Sequence, residues 1–141
     1  MDFKEDGFFK ELLSIFKAET AEHIQAMLSG VDELERTQGT DQQIEAAEPV
    51  HRAAHSLKGA ARTIGLADVE PICQSLETFF SVMKRQKMTF APDFANTLRK
   101  TVRNLQALLD TLNEEGKVTG DKAELTRQIE DLQSKMVTMA R

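Results

Sequence analysis

The sequence predicts an all-α protein: an up-and-down antiparallel four-helix bundle with an additional C-terminal fifth helix. Apolar residues recur at steps of three and four along most of the chain, which is the period of a helix that buries one face. Trp and Tyr are absent, and only seven Gly and three Pro occur in 141 residues. Predicted connections of about three to seven residues make successive helices antiparallel neighbours.

A chain of this length suits one domain, assigned here to residues 1–141, with the bundle over about 7–116 and the fifth helix over about 121–140. The first helix is predicted from Gly7 to Arg36, and Gly39 in the turn at 37–41 suits the C′ position that ends it. The predicted buried face of this helix consists of Phe9, Leu12, Phe16, Thr20, Ile24, Met27, Val31 and Leu34.

The second helix contains a proline. Asp41 can cap an early turn, and Pro49 either begins the main helix near its N1 position or kinks a continuous one. A kink or a restart is favoured at Pro49, and Gly65 is expected to end the helix. The predicted buried face consists of Val50, Ala54, Leu57, Ala61 and Ile64.

The last three helices have recognisable start signals. Asp68 is expected to cap the third helix, with Pro71 in a first turn where a missing N–H costs nothing, and the helix ends near Gln86. The fourth runs from Pro92-Asp93 to a stop at Gly116. The fifth begins with Asp121 and Glu124 at capping-box spacing and is expected to pack against one side of the bundle. Their predicted buried faces are Val69, Ile72, Leu76, Phe79 and Met83; Phe94, Leu98, Val102, Leu105, Leu109 and Leu112; and Leu125, Ile129, Leu132 and Met136.

Composition and charge exclude several classes of protein. A net charge of −5 disfavours a nucleic-acid partner. No apolar run approaches the roughly 20 residues that span a bilayer, and the acidic start over residues 1–6 does not suit a signal peptide. The single Cys73 cannot form an internal disulfide and suits a core position. We therefore expect a cytoplasmic protein without membrane insertion.

The second helix carries a polar face opposite its buried one. No acidic residue occurs between Pro49 and Ala67, whereas three basic residues do, and this local excess would favour an anionic group. A solvated helix face would produce the same pattern. The residues on or beside this face are His51, Arg52, His55, Lys58, Gly59 and Arg62.

His55 is the candidate nucleophile on that face. Near neutral pH a large fraction of an ordinary imidazole is uncharged and has one free lone pair. Lys58, at i+3, can reach an anion held at the ring. Gly59, at i+4, removes a side chain that would crowd a docking partner, although a mid-helix glycine costs about 1 kcal/mol relative to Ala.

A ring whose free nitrogen faces outward needs an acceptor for its inner N–H. Glu77 on the third helix is the best placed carboxylate, with Gln74 one turn before it. A carboxylate there would fix the tautomer and orientation of the ring, and it would stabilise the positive charge that develops on attack.

Residues 52–59, Arg-Ala-Ala-His-Ser-Leu-Lys-Gly, resemble the signature of histidine-containing phosphotransfer (HPt) domains. The chain is most similar to the N-terminal phosphotransfer domain of CheA-type chemotaxis histidine kinases. Residues 64–66, Ile-Gly-Leu, the pair Leu76-Glu77 and the order of five helices also match that pattern. The resemblance covers essentially the whole chain.

The resemblance implies a phosphorelay module. An ATP-bound histidine kinase domain would phosphorylate His55, and the phosphoryl group would pass to an aspartate of a CheY-like receiver. Lys58 would contact the phosphoryl group, and Glu77 would hydrogen-bond the inner ring nitrogen. Gln74 departs from well-known CheA relatives, which have a histidine at this position, and a glutamine cannot exchange protons.

The resemblance also implies what this chain does not supply. Mg²⁺ is expected on the receiver and ATP on the kinase domain, and no cofactor is expected in this domain, which contains no Gly-rich phosphate loop. The domain is then a covalent intermediate in a transfer reaction rather than a complete enzyme. The docking surface is expected around His55, with Gly59, Arg52, Arg62 and His51.

Two alternatives remain open. His51 and His55, at i and i+4, could share a metal with Glu48 or Glu77, but the adjacent Arg and Lys oppose a dication, and no metal site is expected. The other alternative is a helical interaction module that docks receivers or kinase domains and never carries phosphate.

Overall fold

The described part of the chain consists of five α-helices. The computed structural model describes residues 7–87 and 93–137, with only the backbone for residues 133 and 135–137. The helices are α1 (Gly7–Arg36), α2 (Thr40–Thr63), α3 (Glu70–Gln86), α4 (Phe94–Leu109) and α5 (Ala123–Val137). No strand occurs within these residues, and the predicted all-α class is confirmed.

The helices form the predicted bundle. α1 packs on α2 and α4, α2 packs on α3, and α5 packs against α4 and α3. Arg99 near the start of α4 bonds Asp32 near the end of α1, whereas Phe16 in the first half of α1 lies close to Leu109 at the end of α4. Because residue numbers rise along one helix as they fall along the other, α1 and α4 are antiparallel neighbours, and α5 covers one side.

The core lies between the helices and depends on close aromatic and glycine contacts. Phe79 of α3 stacks on Phe94 of α4, with ring centroids 5.4 Å apart. Gly30 of α1 lets α2 approach closely, since a Cβ at position 30 would lie 2.5 Å from Val50 Cγ2. The largest fully buried side chains are Phe9, Ile24, Met27, Leu57, Leu76, Phe80, Met83, Phe94, Leu98, Leu105, Leu125 and Leu132.

The entry into α2 differs from the prediction. Gly39, with φ 94°, does not end α1 but precedes α2, where its carbonyl accepts the Gln43 N–H at 3.0 Å. Asp41 lies inside the first turn and makes no cap. No helix restarts at Pro49, because α2 is continuous from residue 40. A proline removes one hydrogen bond of the helix, and burial of the flanking Ala47 and Val50 keeps the helix together.

The exit from α2 is as predicted, but the start of α3 is not. Gly65, with φ 78°, donates its N–H to the Arg62 carbonyl at 3.2 Å, and the Leu66 N–H reaches the Ala61 carbonyl at 2.9 Å. This is a Schellman motif. Asp68 does not cap α3, whose N-cap residue is Val69; the Asp68 carboxylate instead lies 3.3 Å from the Lys122 ammonium. Pro71 lies in the first turn, as expected.

α4 is shorter than predicted, and α5 begins without the predicted capping box. α4 ends at Leu109 rather than Gly116, which lies in a later turn closed by the Asn113 N–H on the Lys117 carbonyl at 2.9 Å. At α5, Asp121 accepts the Ala123 N–H at 2.9 Å, but Glu124 pairs with Arg127 instead of completing a capping box.

Two further predictions concern buried positions and chain ends. Leu13, not Leu12, is fully buried in α1, because the core-facing residues there follow Phe9 at a step of four. Pro92, residues 138–140 and the side chain of Met136 lie outside the described residues. Within the described ranges, none of the helices combines the length and hydropathy that crossing a membrane requires.

Candidate functional site

The polar faces of α2 and α3 meet in a ladder of side-chain pairs, called here the polar ladder. Each step of three or four residues along α2 is matched by an equal step back along α3, so the two helices are antiparallel in a single register. This register places His55 and Lys58 beside one carboxylate, that of Glu77. The pairs are Glu48–Lys84, His51–Ser81, His55–Glu77, Lys58–Gln74 and Arg62–Glu70.

His55 is held by one ring nitrogen and exposed at the other. Its Nδ1 lies 2.8 Å from Glu77 Oε1, and 66% of its side chain is exposed. Because a carboxylate can only accept, Nδ1 carries the proton and Nε2 carries the free lone pair. Nε2 has no hydrogen-bond partner among the described residues. The imidazole is therefore oriented as a nucleophile that faces solvent.

Lys58 and Glu77 form an ion pair directly behind the ring. Lys58 Nζ lies 2.7 Å from Glu77 Oε2, and their side chains are only 14% and 18% exposed. The bond from Lys58, reinforced by the one from His55, lowers the pKa of Glu77 below its ordinary value. Glu77 therefore stays a carboxylate at neutral pH, which is the state that can accept the Nδ1 proton.

Gln74 acts on the lysine rather than on the imidazole. Its Oε1 accepts from Lys58 Nζ at 3.0 Å, and its Nε2 donates to Thr78 Oγ1 at 2.9 Å. Within the described residues it forms no hydrogen bond to either histidine of α2. The glutamine thus fixes the position of the ammonium group, which is a role that needs no proton exchange.

The basic excess predicted on α2 is largely matched by acids of α3. Arg62 NH2 lies 2.6 Å from Glu70 Oε1, and Lys58 is paired with Glu77. Arg52 is exposed and makes no ion pair with a described residue. Glu70 and Ser81 were missed by sequence reasoning. They belong to a polar series on α3 with helical spacing, Glu70, Gln74, Glu77, Ser81 and Lys84, which could have revealed them.

The outer side of α2 next to His55 is open. Gly59 is exposed, and a Cβ built at this position would meet nothing within 4 Å. His51 lies deeper: it is half-buried, its Nε2 is 3.3 Å from Ser81 Oγ, and its ring centroid is 6.3 Å from that of Phe80. Of the four predicted docking residues, Gly59, Arg52 and Arg62 are exposed, and His51 is in the wall of a cleft.

The described residues contain no group of side chains suited to a metal ion, and their one cysteine is not a reactive thiol. In residues 7–87 and 93–137, no three His, Cys, Asp or Glu side chains are grouped so that they could hold a metal ion. Cys73 is fully buried, and burial raises the pKa of its thiol to about 12. A thiol in that state is a poor nucleophile and a poor metal ligand.

The sequence profile of the Hpt domain family matches residues 11–135. The chain therefore belongs to the Hpt domain family. The chain is 25% identical over 111 residues to the chemotaxis protein CheA of Halobacterium salinarum, a match that covers 79% of this chain and 16% of that protein. It is also 25% identical over 120 residues to CheA of Bacillus subtilis, covering 85% of this chain and 17% of that protein.

A solved structure shares the fold. The phosphorylated P1 domain of CheA3 from R. sphaeroides, crystallised in complex with CheY6, superposes with a TM-score of 0.74 at 20% sequence identity. The match covers 92% of this chain and 98% of that one. The likeness extends over nearly all of that domain, whereas the chain corresponds to only a small part of the full-length CheA proteins.

Proposed function

We propose that this domain is a phosphorelay module of a two-component or chemotaxis system. His55 accepts a phosphoryl group from an ATP-bound histidine kinase domain and passes it to an aspartate of a CheY-like receiver. The observation that carries the proposal is the exposed imidazole, whose Nδ1 is fixed by Glu77 at 2.8 Å and whose Nε2 is unpartnered among the described residues. Membership of the Hpt family supports it.

In the first transfer, His55 Nε2 attacks the γ-phosphorus of ATP. A N–P bond forms, the bond from phosphorus to the bridging oxygen breaks, and ADP leaves with the electron pair. The ring gains positive charge as the bond forms. Glu77 accepts the Nδ1 hydrogen bond throughout and stabilises this charge, as a carboxylate does behind a reacting histidine.

In the second transfer, a carboxylate oxygen of the receiver aspartate attacks the same phosphorus. The N–P bond breaks, and its electron pair returns to Nε2. The leaving imidazole is already protonated at Nδ1, so it departs as a neutral ring. No proton has to move through this chain during the step.

The surroundings of His55 fit these two reactions. Lys58 Nζ contacts Glu77 and Gln74, and because an ammonium group has three N–H donors, a further one can contact a phosphoryl oxygen on His55. Gly59 provides clearance one turn beyond the ring, so that a receiver or kinase domain can approach. Arg52 and Arg62 are exposed cations at the edge of this docking surface, where they can meet acidic groups of a receiver.

The partners supply the rest of the chemistry. ATP is bound by the kinase domain and Mg²⁺ by the receiver, and this chain contributes the phosphorylated side chain and the docking surface. The domain would work in the cytoplasm, where ATP and receivers occur.

Phosphorylation by a histidine kinase domain with radiolabelled ATP tests the proposal. The chain has three histidines, so His23→Gln, His51→Gln and His55→Gln form a matched set. We expect acid-labile, base-stable label on the wild type and on the His23 and His51 variants, and none on His55→Gln. Adding a receiver with Mg²⁺ should remove the label from the domain.

Two outcomes would contradict the proposal. Label that persists in His55→Gln would place the phosphoryl group elsewhere. A wild-type domain that binds its kinase domain but takes up no label would instead be an interaction module.

A further inference from the structure

A second imidazole lies in the same cleft as the first. A cleft of about 380 Å³ between α2 and α3 is lined by His51, His55, Glu77 and Ser81, among others. His51 is one helical turn before His55, half-buried, with Nε2 3.3 Å from Ser81 Oγ. The two transfer steps derived above make no use of it.

Charged groups from both helices face His51. Glu48 and His55 lie on its own helix, and Glu77 and Lys84 lie on α3; Arg52 follows it in the sequence. Burial, with Lys84 second, lowers the pKa of His51 from its ordinary 6.5, and the two carboxylates oppose this only in part. The lowered pKa favours the uncharged ring at neutral pH.

Three of the cations around the cleft are already paired with carboxylates. Lys58 is paired with Glu77, Arg62 with Glu70, and Lys84 with Glu48 at 2.5 Å. A phosphoryl group on His55 would bring a charge of up to −2 to this place. Arg52 is exposed to water, which screens it. Besides His55 itself, His51 is the group lining the cleft whose ordinary pKa lies nearest to neutral pH, so it is the group best able to gain a proton in response.

We propose that His51 is a proton acceptor linked to the phosphorylation of His55: its ring binds a proton more tightly when His55 carries the phosphoryl group than when His55 is free. By thermodynamic reciprocity, protonation of His51 then stabilises phosphorylated His55. The phosphorylated domain is thereby favoured at mildly acidic pH. This inference rests on the proposed function, because it presupposes that His55 is phosphorylated.

NMR titration of the imidazole C–H signals tests the linkage. The full chain is titrated before and after phosphorylation with phosphoramidate, a small donor that needs no kinase. We expect the pKa of His51 to rise by roughly half a unit to one unit on phosphorylation, as expected for charges one helical turn apart near a protein surface. His23, on α1, is the internal control.

The reciprocal measurement is the equilibrium between this domain and a receiver. Lowering the pH through the titration of His51 should shift phosphate toward the domain about 3- to 10-fold more in the wild type than in His51→Gln, which corresponds to the same half to one pKa unit. Ser81→Ala retains the titrating ring and should retain the shift.

The outcomes separate the two proposals. If phosphoramidate and the kinase domain both fail to phosphorylate His55, the proposed function fails. If His55 is phosphorylated but His51 titrates at the same pH in both states, or His51→Gln keeps the full pH dependence, the linkage alone is overturned.

Discussion

At the scale of single residues, the orientation of the His55 ring depends on one carboxylate that contacts two partners. Glu77 contacts His55 Nδ1 at 2.8 Å through one oxygen and Lys58 Nζ at 2.7 Å through the other. The first contact selects the tautomer with its lone pair on Nε2, and the second keeps the carboxylate ionised. Removing the charge of Glu77 therefore affects both the orientation of the ring and the stabilisation of charge on it.

Replacing Glu77 by Gln should slow phosphorylation of His55 while the bundle stays folded. Gln retains the size of the side chain but cannot stabilise a cationic ring, so we expect the rate to fall about 10-fold or more, as when the partner that orients a histidine is lost. The initial rate of labelling measures this, with helical circular dichroism as the check on folding. Glu70→Gln is the matched control, because Glu70 pairs with Arg62 rather than with the ring. Equal rates in all three proteins would remove Glu77 from the mechanism.

Glu77 also links stability to pH. Its pKa is lowered from 4.5 by the bonds from Lys58 and His55, so the folded state binds fewer protons there than the unfolded state. This contribution is present above about pH 4.5 and is lost as the pH falls through the lowered pKa. We expect the unfolding free energy, measured by urea denaturation, to fall less between pH 6 and pH 3 in Glu77→Gln than in the wild type. Both proteins are measured at the same ionic strength. Parallel pH curves would contradict this.

At the scale of helices, two glycines on neighbouring elements have opposite roles. A Cβ at position 30 of α1 would lie 2.5 Å from Val50 Cγ2, whereas one at position 59 of α2 would meet nothing within 4 Å. The first glycine allows two helices to pack, and the second leaves open space outside the bundle.

The two glycines should therefore respond oppositely to the same substitution. Gly59→Ala should raise the free energy of unfolding by up to about 1 kcal/mol, because Ala is the better helix former. Gly30→Ala should lower it by about 1–3 kcal/mol, because the methyl group overpacks the contact with Val50. Urea denaturation of both variants measures the difference. A destabilised Gly59→Ala would show that Gly59 has a packing role and is not there for clearance.

The sequence predicts the positions of the helices better than it predicts their caps and their relative register. Periodicity located all five helices, and the predicted end of α1 at Arg36 is the one observed, because α1 is long and its buried residues recur at helical spacing. The predicted caps at Asp41 and Asp68 were wrong, since the local turn and distant partners such as Lys122 decide what a side chain near a helix start contacts. The pairing of His55 with Glu77 was predicted from the expected antiparallel packing of α2 and α3. The remaining pairs of the polar ladder follow from that register by equal helical steps, although the pattern of either helix alone does not contain the register.

At the scale of the whole molecule, the core is continuous from α1 to α5. Cys73 lies within it, fully buried, and its thiol has a pKa raised to about 12. The thiol is therefore protected by the fold as a whole, by both exclusion of reagent and suppression of the reactive thiolate.

Cys73 should accordingly report global unfolding. We expect a thiol reagent at pH 8 to label the native chain very slowly and to label it rapidly in denaturing urea. The labelled fraction, followed across a urea series, should track the loss of helical circular dichroism. Fast labelling without urea would show that α3 opens locally and that the core is less cooperative than its packing indicates.

The most direct test of the account is to identify the atom that carries the phosphoryl group. The imidazole nitrogens of the isotopically labelled domain are observed by NMR before and after phosphorylation. The account predicts that His55 Nε2 forms the N–P bond while Nδ1 keeps its proton on Glu77. A phosphoryl group found on His55 Nδ1, or on His23 or His51, would contradict it.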